Sequence, residues 1–124
     1  MAKTLRQEAL QYDLSSLLLL QDKRSQNIQL FEQSIKNERS ASMKENVAQT
    51  ALEEKVTLYS AKLLKLSSEE FKLMEQDIPK LKSTQDKRKQ NIINLQQAIL
   101  DEQNSMDHEM QMILFLKDQN DGKN

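Results

Sequence analysis

Apolar residues recur along most of this chain at alternating intervals of three and four, the spacing that gathers side chains onto one face of an α-helix. In the second half the series runs Leu64, Phe71, Met74, Ile78, Leu81, Gln85, Arg88, Ile92, Leu95, Ile99, Glu102, Met106, Glu109, Ile113 and Leu116. Nearer the start it runs Leu10, Leu14, Leu17, Gln21, Arg24, Ile28, Phe31, Ile35 and Glu38. A seven-residue period stays on one face only when the helix winds against another, so the pattern predicts long helices with coiled-coil heptads. In the central stretch, Leu52, Val56, Tyr59, Leu63, Leu66 and Leu73 keep the spacing in a frame different from that of Leu64, Phe71 and Ile78. A stutter or a chain reversal is therefore required between Arg39 and Phe71.

Local punctuation places the expected boundaries. Ser42-Met43-Lys44-Glu45 and Ser67-Ser68-Glu69-Glu70 both fit a capping box, in which a hydroxyl accepts an early backbone N–H and a Glu reaches back. Pro79 lacks a donor and crowds the preceding turn, which predicts a kink or break there. These marks predict one α-helical region over 1–118, with helices at about 4–40, 43–66 and 68–118, and a disordered polar tail over 119–124. The fold class is all-α, either an elongated coiled coil with a stutter or hairpin, or an up-down-up three-helix bundle.

The sequence also repeats itself. Gln21-Asp22-Lys23-Arg24-Ser25-Gln26-Asn27-Ile28 returns 64 residues later as Gln85-Asp86-Lys87-Arg88-Lys89-Gln90-Asn91-Ile92 with seven of eight residues identical. Looser matches join Asp13 to Asp77, Gln33 to Gln97, Ile35 to Ile99 and Glu38 to Glu102. One supersecondary unit used twice accounts for such a repeat. Since 64 is nine heptads plus one residue, the two copies cannot share one uninterrupted frame. Both copies carry Gln and then Arg inside the apolar series, so Gln21, Arg24, Gln85 and Arg88 read as polar layers that set register.

Composition sharpens this picture. The chain has one glycine, Gly122, one proline, Pro79, and no cysteine, which leaves β-turns, glycine-rich phosphate loops, disulfides and thiolate metal sites without material. The net charge of −1 creates no overall field for nucleic acid or anionic lipid. The longest pure leucine run, Leu17 to Leu20, is far short of a bilayer span. It covers most of a helix circumference, as does the stretch from Met110 to Leu116, so both ends ask for more than one neighbouring helix.

No catalytic residue, cofactor or metal site stands out. The single histidine, His108, has Asn104 and Met112 at the positions where a second ligand would have to lie. The function expected is a non-enzymatic structural or adaptor subunit that assembles with partner helices, as a scaffold, spacer or tether of cytoskeletal, kinetochore, ciliary or trafficking type. Its partner-helix interface would comprise Leu14, Leu17, Leu20, Ile28, Phe31, Ile35, Ile92, Leu95, Ile99, Met106, Ile113 and Leu116. The expected partners are helical proteins in a hetero-oligomer, with a homo-oligomer as the alternative, and without a transmembrane segment. The expected location is intracellular, in the cytoplasm or on the cytoskeleton, with the nucleus as a further option.

Two heptad segments with central Gln and Arg layers superficially resemble SNARE proteins, which would imply a helix set for membrane tethering. The chain departs from that family in having two adjacent polar layers per copy, no membrane anchor and no cysteine for palmitoylation. A third reading is a regulator that binds a filament or nucleic acid through the basic stretch Lys80, Lys82, Lys87, Arg88 and Lys89. That stretch lacks interleaved aromatics, so a solvated helix face is the simpler reading.

Overall fold

The computed structural model describes residues 4–121. Three helices occur among them: α1 (Leu5–Ala9), α2 (Leu14–Ser60) and α3 (Ser68–Asp121), with no strand. The fold is all-α, and its elements differ from the expected helices around Ser42, over 10–13, at the end of α2, which stops at Ser60 rather than 66, and at the end of α3, which runs to Asp121 rather than 118. Of the tail expected to be disordered, 119–121 is helical and 122–124 lie outside the described residues. Around Ser42 no break occurs. Neither Ser40 nor Ser42 forbids a helix, and Glu45 turns to an ion pair instead of capping. Near the start, the chain interrupts the expected helix over 10–13. Pro79 lies inside α3, as in the expected helix over 68–118, and the chain does not break there although proline supplies no backbone N–H.

The chain divides into two units: a terminal unit, Met1–Gln33 with Leu95–Asn124, and a central unit, Ser34–Asn94. In the terminal unit α1 is a single capped turn. Thr4 Oγ1 accepts from the Gln7 N–H at 3.2 Å, and the Gln7 side chain accepts from the Thr4 N–H at 3.0 Å. The chain then turns back through 10–13, and the Asp13 carbonyl accepts the first bond of α2 from Leu17 at 3.1 Å. This reversal brings Ala9 into a core cluster with Leu17, Met112 and Ile113, flanked by Leu14, Leu20, Phe115 and Leu116. Leu17 and Ile113, at 0% and 1% exposure, are the largest side chains fully enclosed there. Each contributes about 1.5–3 kcal/mol by leaving water. Part of the demand raised by the two apolar ends is thus met from within, by α1.

The central unit is an αα-hairpin. Within it α2 contributes 34–60 and α3 contributes 68–94, joined by the connection 61–67. Helix α2 ends in a Schellman turn, in which Lys62 N–H donates to the Tyr59 carbonyl at 3.0 Å and Leu63 N–H to the Leu58 carbonyl at 2.8 Å. The turn requires a left-handed residue where glycine is usual, and Lys62 takes it with φ 63°. A side chain in that region costs roughly 1 kcal/mol. Across the turn the rings of Tyr59 and Phe71 stack with centroids 4.4 Å apart. Helix α3 opens with Ser67 Oγ accepting from the Glu70 N–H at 3.1 Å, as its capping sequence predicts.

In both units the less exposed positions follow three-four spacing. They include 14, 17, 21, 24, 28 and 31 with 95, 99, 102, 106, 109, 113 and 116 in the terminal unit. The central unit has 35, 38, 42, 45, 49, 52, 56 and 59 with 71, 74, 78, 81, 85, 88 and 92. Within α2 this series runs without a phase change, and the reversal over 61–67 separates it from the series of α3.

Candidate functional site

All twelve apolar residues expected at a partner interface belong to these inward series or flank them. Leu17, Ile35 and Ile113 are buried, and Leu14, Leu20, Ile28, Phe31, Ile92, Leu95, Ile99, Met106 and Leu116 are half-buried. Ten lie in the terminal unit, and Ile35 and Ile92 lie in the central unit. A two-helix layer covers such residues on one side only, so most of them keep an open flank.

The polar layers sit within the same series, one in each unit. In the terminal unit Arg24 Nε donates to Glu109 Oε1 at 2.6 Å and to Oε2 at 3.1 Å, while Nη1 reaches Glu102 Oε2 at 3.4 Å. Gln21 Nε2 donates to the Met106 carbonyl at 3.1 Å and to Glu109 Oε1 at 3.3 Å. Glu109, with its side chain 7% exposed, is the buried charged residue among the described positions, and these donors satisfy both its oxygens. In the central unit Arg88 Nε donates to Glu45 Oε1 at 2.6 Å, and Nη1 to Glu38 Oε2 at 3.3 Å. There Gln85 Nε2 donates to Gln49 Oε1 at 3.0 Å, and Gln49 donates to Glu53 at 2.9 Å.

The glutamates complete a pattern that the Gln and Arg positions only begin. Glu38 and Glu45 recur 64 residues later as Glu102 and Glu109, the offset that relates Gln21 and Arg24 to Gln85 and Arg88. Arg24 of the first copy pairs with glutamates of the second, and Arg88 of the second pairs with glutamates of the first. The pairing is reciprocal. Both guanidinium groups are held above their ordinary pKa, chiefly by the hydrogen bond to Glu109 for Arg24 and to Glu45 for Arg88. Desolvation opposes the rise in each case and is outweighed.

A shallow cleft of about 370 Å³ lies beside the terminal layer, lined by Glu8, Tyr12, Arg24, His108, Glu109 and Met112 among others. Across it His108 Nε2 meets Glu8 Oε2 at 2.7 Å and pins α1 to α3. Among the described residues no cluster of three or more His, Asp or Glu side chains is arranged to hold a metal ion. No helix there is long and apolar enough to cross a membrane. Of the basic stretch, Arg88 is committed to the central layer and Lys82 lies 3.8 Å from Glu53.

Several apolar residues stay exposed on the outer faces. In the terminal unit these include Leu18, Leu19 and Leu30 on α2, and Leu100, Met110 and Leu114 on α3. On α3 they fall into a second three-four series with Gln96, Gln103 and Asp107, distinct from the inward one. No family model matches the chain, and no curated protein or solved structure is significantly similar to it.

Proposed function

We propose that this chain is a non-enzymatic structural or adaptor subunit, a scaffold, spacer or tether that docks partner helices in a larger hetero-oligomeric assembly inside the cell. The observation that carries the reading is the second three-four series on α3, in which Leu100, Met110 and Leu114 alternate with polar residues. Leu100, Met110 and Leu114 lie on one helix face and remain exposed, Leu114 at 57%, although α1 already covers the neighbouring core. An amphipathic face of this kind suits a partner helix laid alongside, with its own apolar residues at i, i+3, i+4 and i+7. Chemistry fits less well. In the terminal layer the polar residues brought together are ion pairs that satisfy one another, and the cleft beside them is shallow.

Affinity purification from native cells, combined with cross-linking, tests this reading. A stoichiometric helical partner cross-linked beside Leu100 to Leu114 is expected, and the double variant Met110→Lys, Leu114→Lys should lose it while its helical circular dichroism holds. Recovery of the same proteins by wild type and variant would contradict the proposal.

A further inference from the structure

A second copy of this chain would carry every group that the two layers use, a route to association that does not depend on the outer faces. Every ion pair in them joins one copy of the repeat to the other, and both pairings use the same residue types. A second chain therefore offers Arg24 the same glutamates, and Arg88 likewise. What keeps the pairing within one chain is the connection 61–67, and its composition argues for helix as much as for a turn. Ala61-Lys62-Leu63-Leu64-Lys65-Leu66 consists of strong helix formers, with no Gly, Pro or Asn. In the turn Lys62 is held left-handed and Leu63 is 76% exposed. Straightening would relieve the first and, against a partner helix, cover the second.

We propose that the chain also forms an exchanged dimer, in which the connection becomes helical and α2 of each chain pairs with α3 of the other. Both polar layers re-form between the chains, in the manner of domain swapping. The repeat offset of nine heptads plus one residue leaves a one-residue phase slip at the hinge of such a helix, a discontinuity of the kind that long helical coils absorb by local unwinding. That slip also supplies the test. Deleting Lys62 removes the left-handed residue and brings both series into one frame, so it should drive exchange. Lys62→Gly favours the turn and disfavours the helix at two hinges per dimer, and should weaken dimerisation about 100-fold.

Light scattering on the full chain reads the mass, and energy transfer between dyes on Leu30→Cys and Leu100→Cys reads the pairing. Both positions are exposed and lie in the terminal unit, on helices that pack roughly 10 Å apart within one chain. In an exchanged chain diluted with unlabelled copies they would stand about 105 Å apart along the helix. The expected result is a mass that doubles from 14.5 kDa as concentration rises, with transfer lost in the dimer, the deletion variant dimeric and Lys62→Gly monomeric. A wild type and deletion variant that both stay at 14.5 kDa up to millimolar concentration would overturn the proposal, as would a dimer that retains transfer. Either failure would leave partner docking on the outer faces untouched.

Discussion

Position for position, the terminal layer of Gln21, Arg24, Glu102 and Glu109 and the central layer of Gln85, Arg88, Glu38 and Glu45 carry the same side chains. They differ in what lies one turn further on. Four residues beyond Glu109 stands Ile113, fully buried, and four beyond Glu45 stands Gln49. Isoleucine offers Gln21 no acceptor, so that amide turns to Glu109 Oε1 and the Met106 carbonyl, while Arg24 Nε bonds both oxygens of Glu109. Gln49 does offer one, and Gln85 donates to it. Arg88 Nε bonds Glu45 Oε1 alone, and Glu45 Oε2 is buried with no hydrogen-bond partner. An orphaned acceptor of this kind costs about 1–3 kcal/mol. Identical polar residues therefore give a sealed ion-pair layer in one place and an incomplete one in the other: the arginine Nε bonds both carboxylate oxygens of Glu109 and only one of Glu45.

Exchanging that neighbour is the sharpest way to break the comparison. Ile113→Gln should cost about 3 kcal/mol in urea unfolding, since it buries an amide where Ile113 is 1% exposed. Gln49→Ile should have the opposite sign and stabilise by about 1 kcal/mol, by releasing Gln85 to Glu45 and adding apolar burial. Two losses of equal size would show that the layers do not differ in the way described.

Removing the cations has a smaller effect. Arg24→Leu leaves Glu109 buried without its counter-ion and should cost about 2–3 kcal/mol, and Arg24→Leu with Glu109→Leu should recover most of the loss. Arg88→Leu should lower stability less, because its glutamates are more exposed. The pH response follows from the sign of the shifts. A guanidinium whose folded-state pKa is raised contributes fully below its unfolded value and loses that contribution only as pH rises through the folded one. The deficit of Arg24→Leu should accordingly stay constant from about pH 7 to pH 11 and shrink only in stronger alkali.

Much of this was legible in the chain itself, for identifiable reasons. The three-four series predicted long helices, and those occur; the residues expected to face a partner helix lie on or beside the inward face of the chain's own helices. Gln21, Arg24, Gln85 and Arg88 stood out because they interrupt apolar positions at matching places. Their acceptors were harder to see. Glu45 sits three residues after Ser42 and imitates a cap, and only the long-range pair with Arg88 shows otherwise. A stutter or reversal was expected between Arg39 and Phe71, but its turn at 61–67 was not pinpointed, because lysine occupies the place where glycine would have announced it. The short α1 was hidden in the same way, although Thr4-Leu5-Arg6-Gln7 is a capping box and Asp13 is a residue type that favours helix starts. Pro79 signalled a kink or a break, and the helix around it continues without a break.

At the centre of the account is the reciprocal pairing of Arg24 and Arg88 with glutamates of the opposite repeat copy. A double-mutant cycle on Arg24→Met and Glu109→Gln, read by urea unfolding, tests it most directly. The geometry predicts a coupling of about 1.5 kcal/mol or more between the two sites. A coupling below about 0.3 kcal/mol, the level of additivity for residues that do not touch, would contradict it.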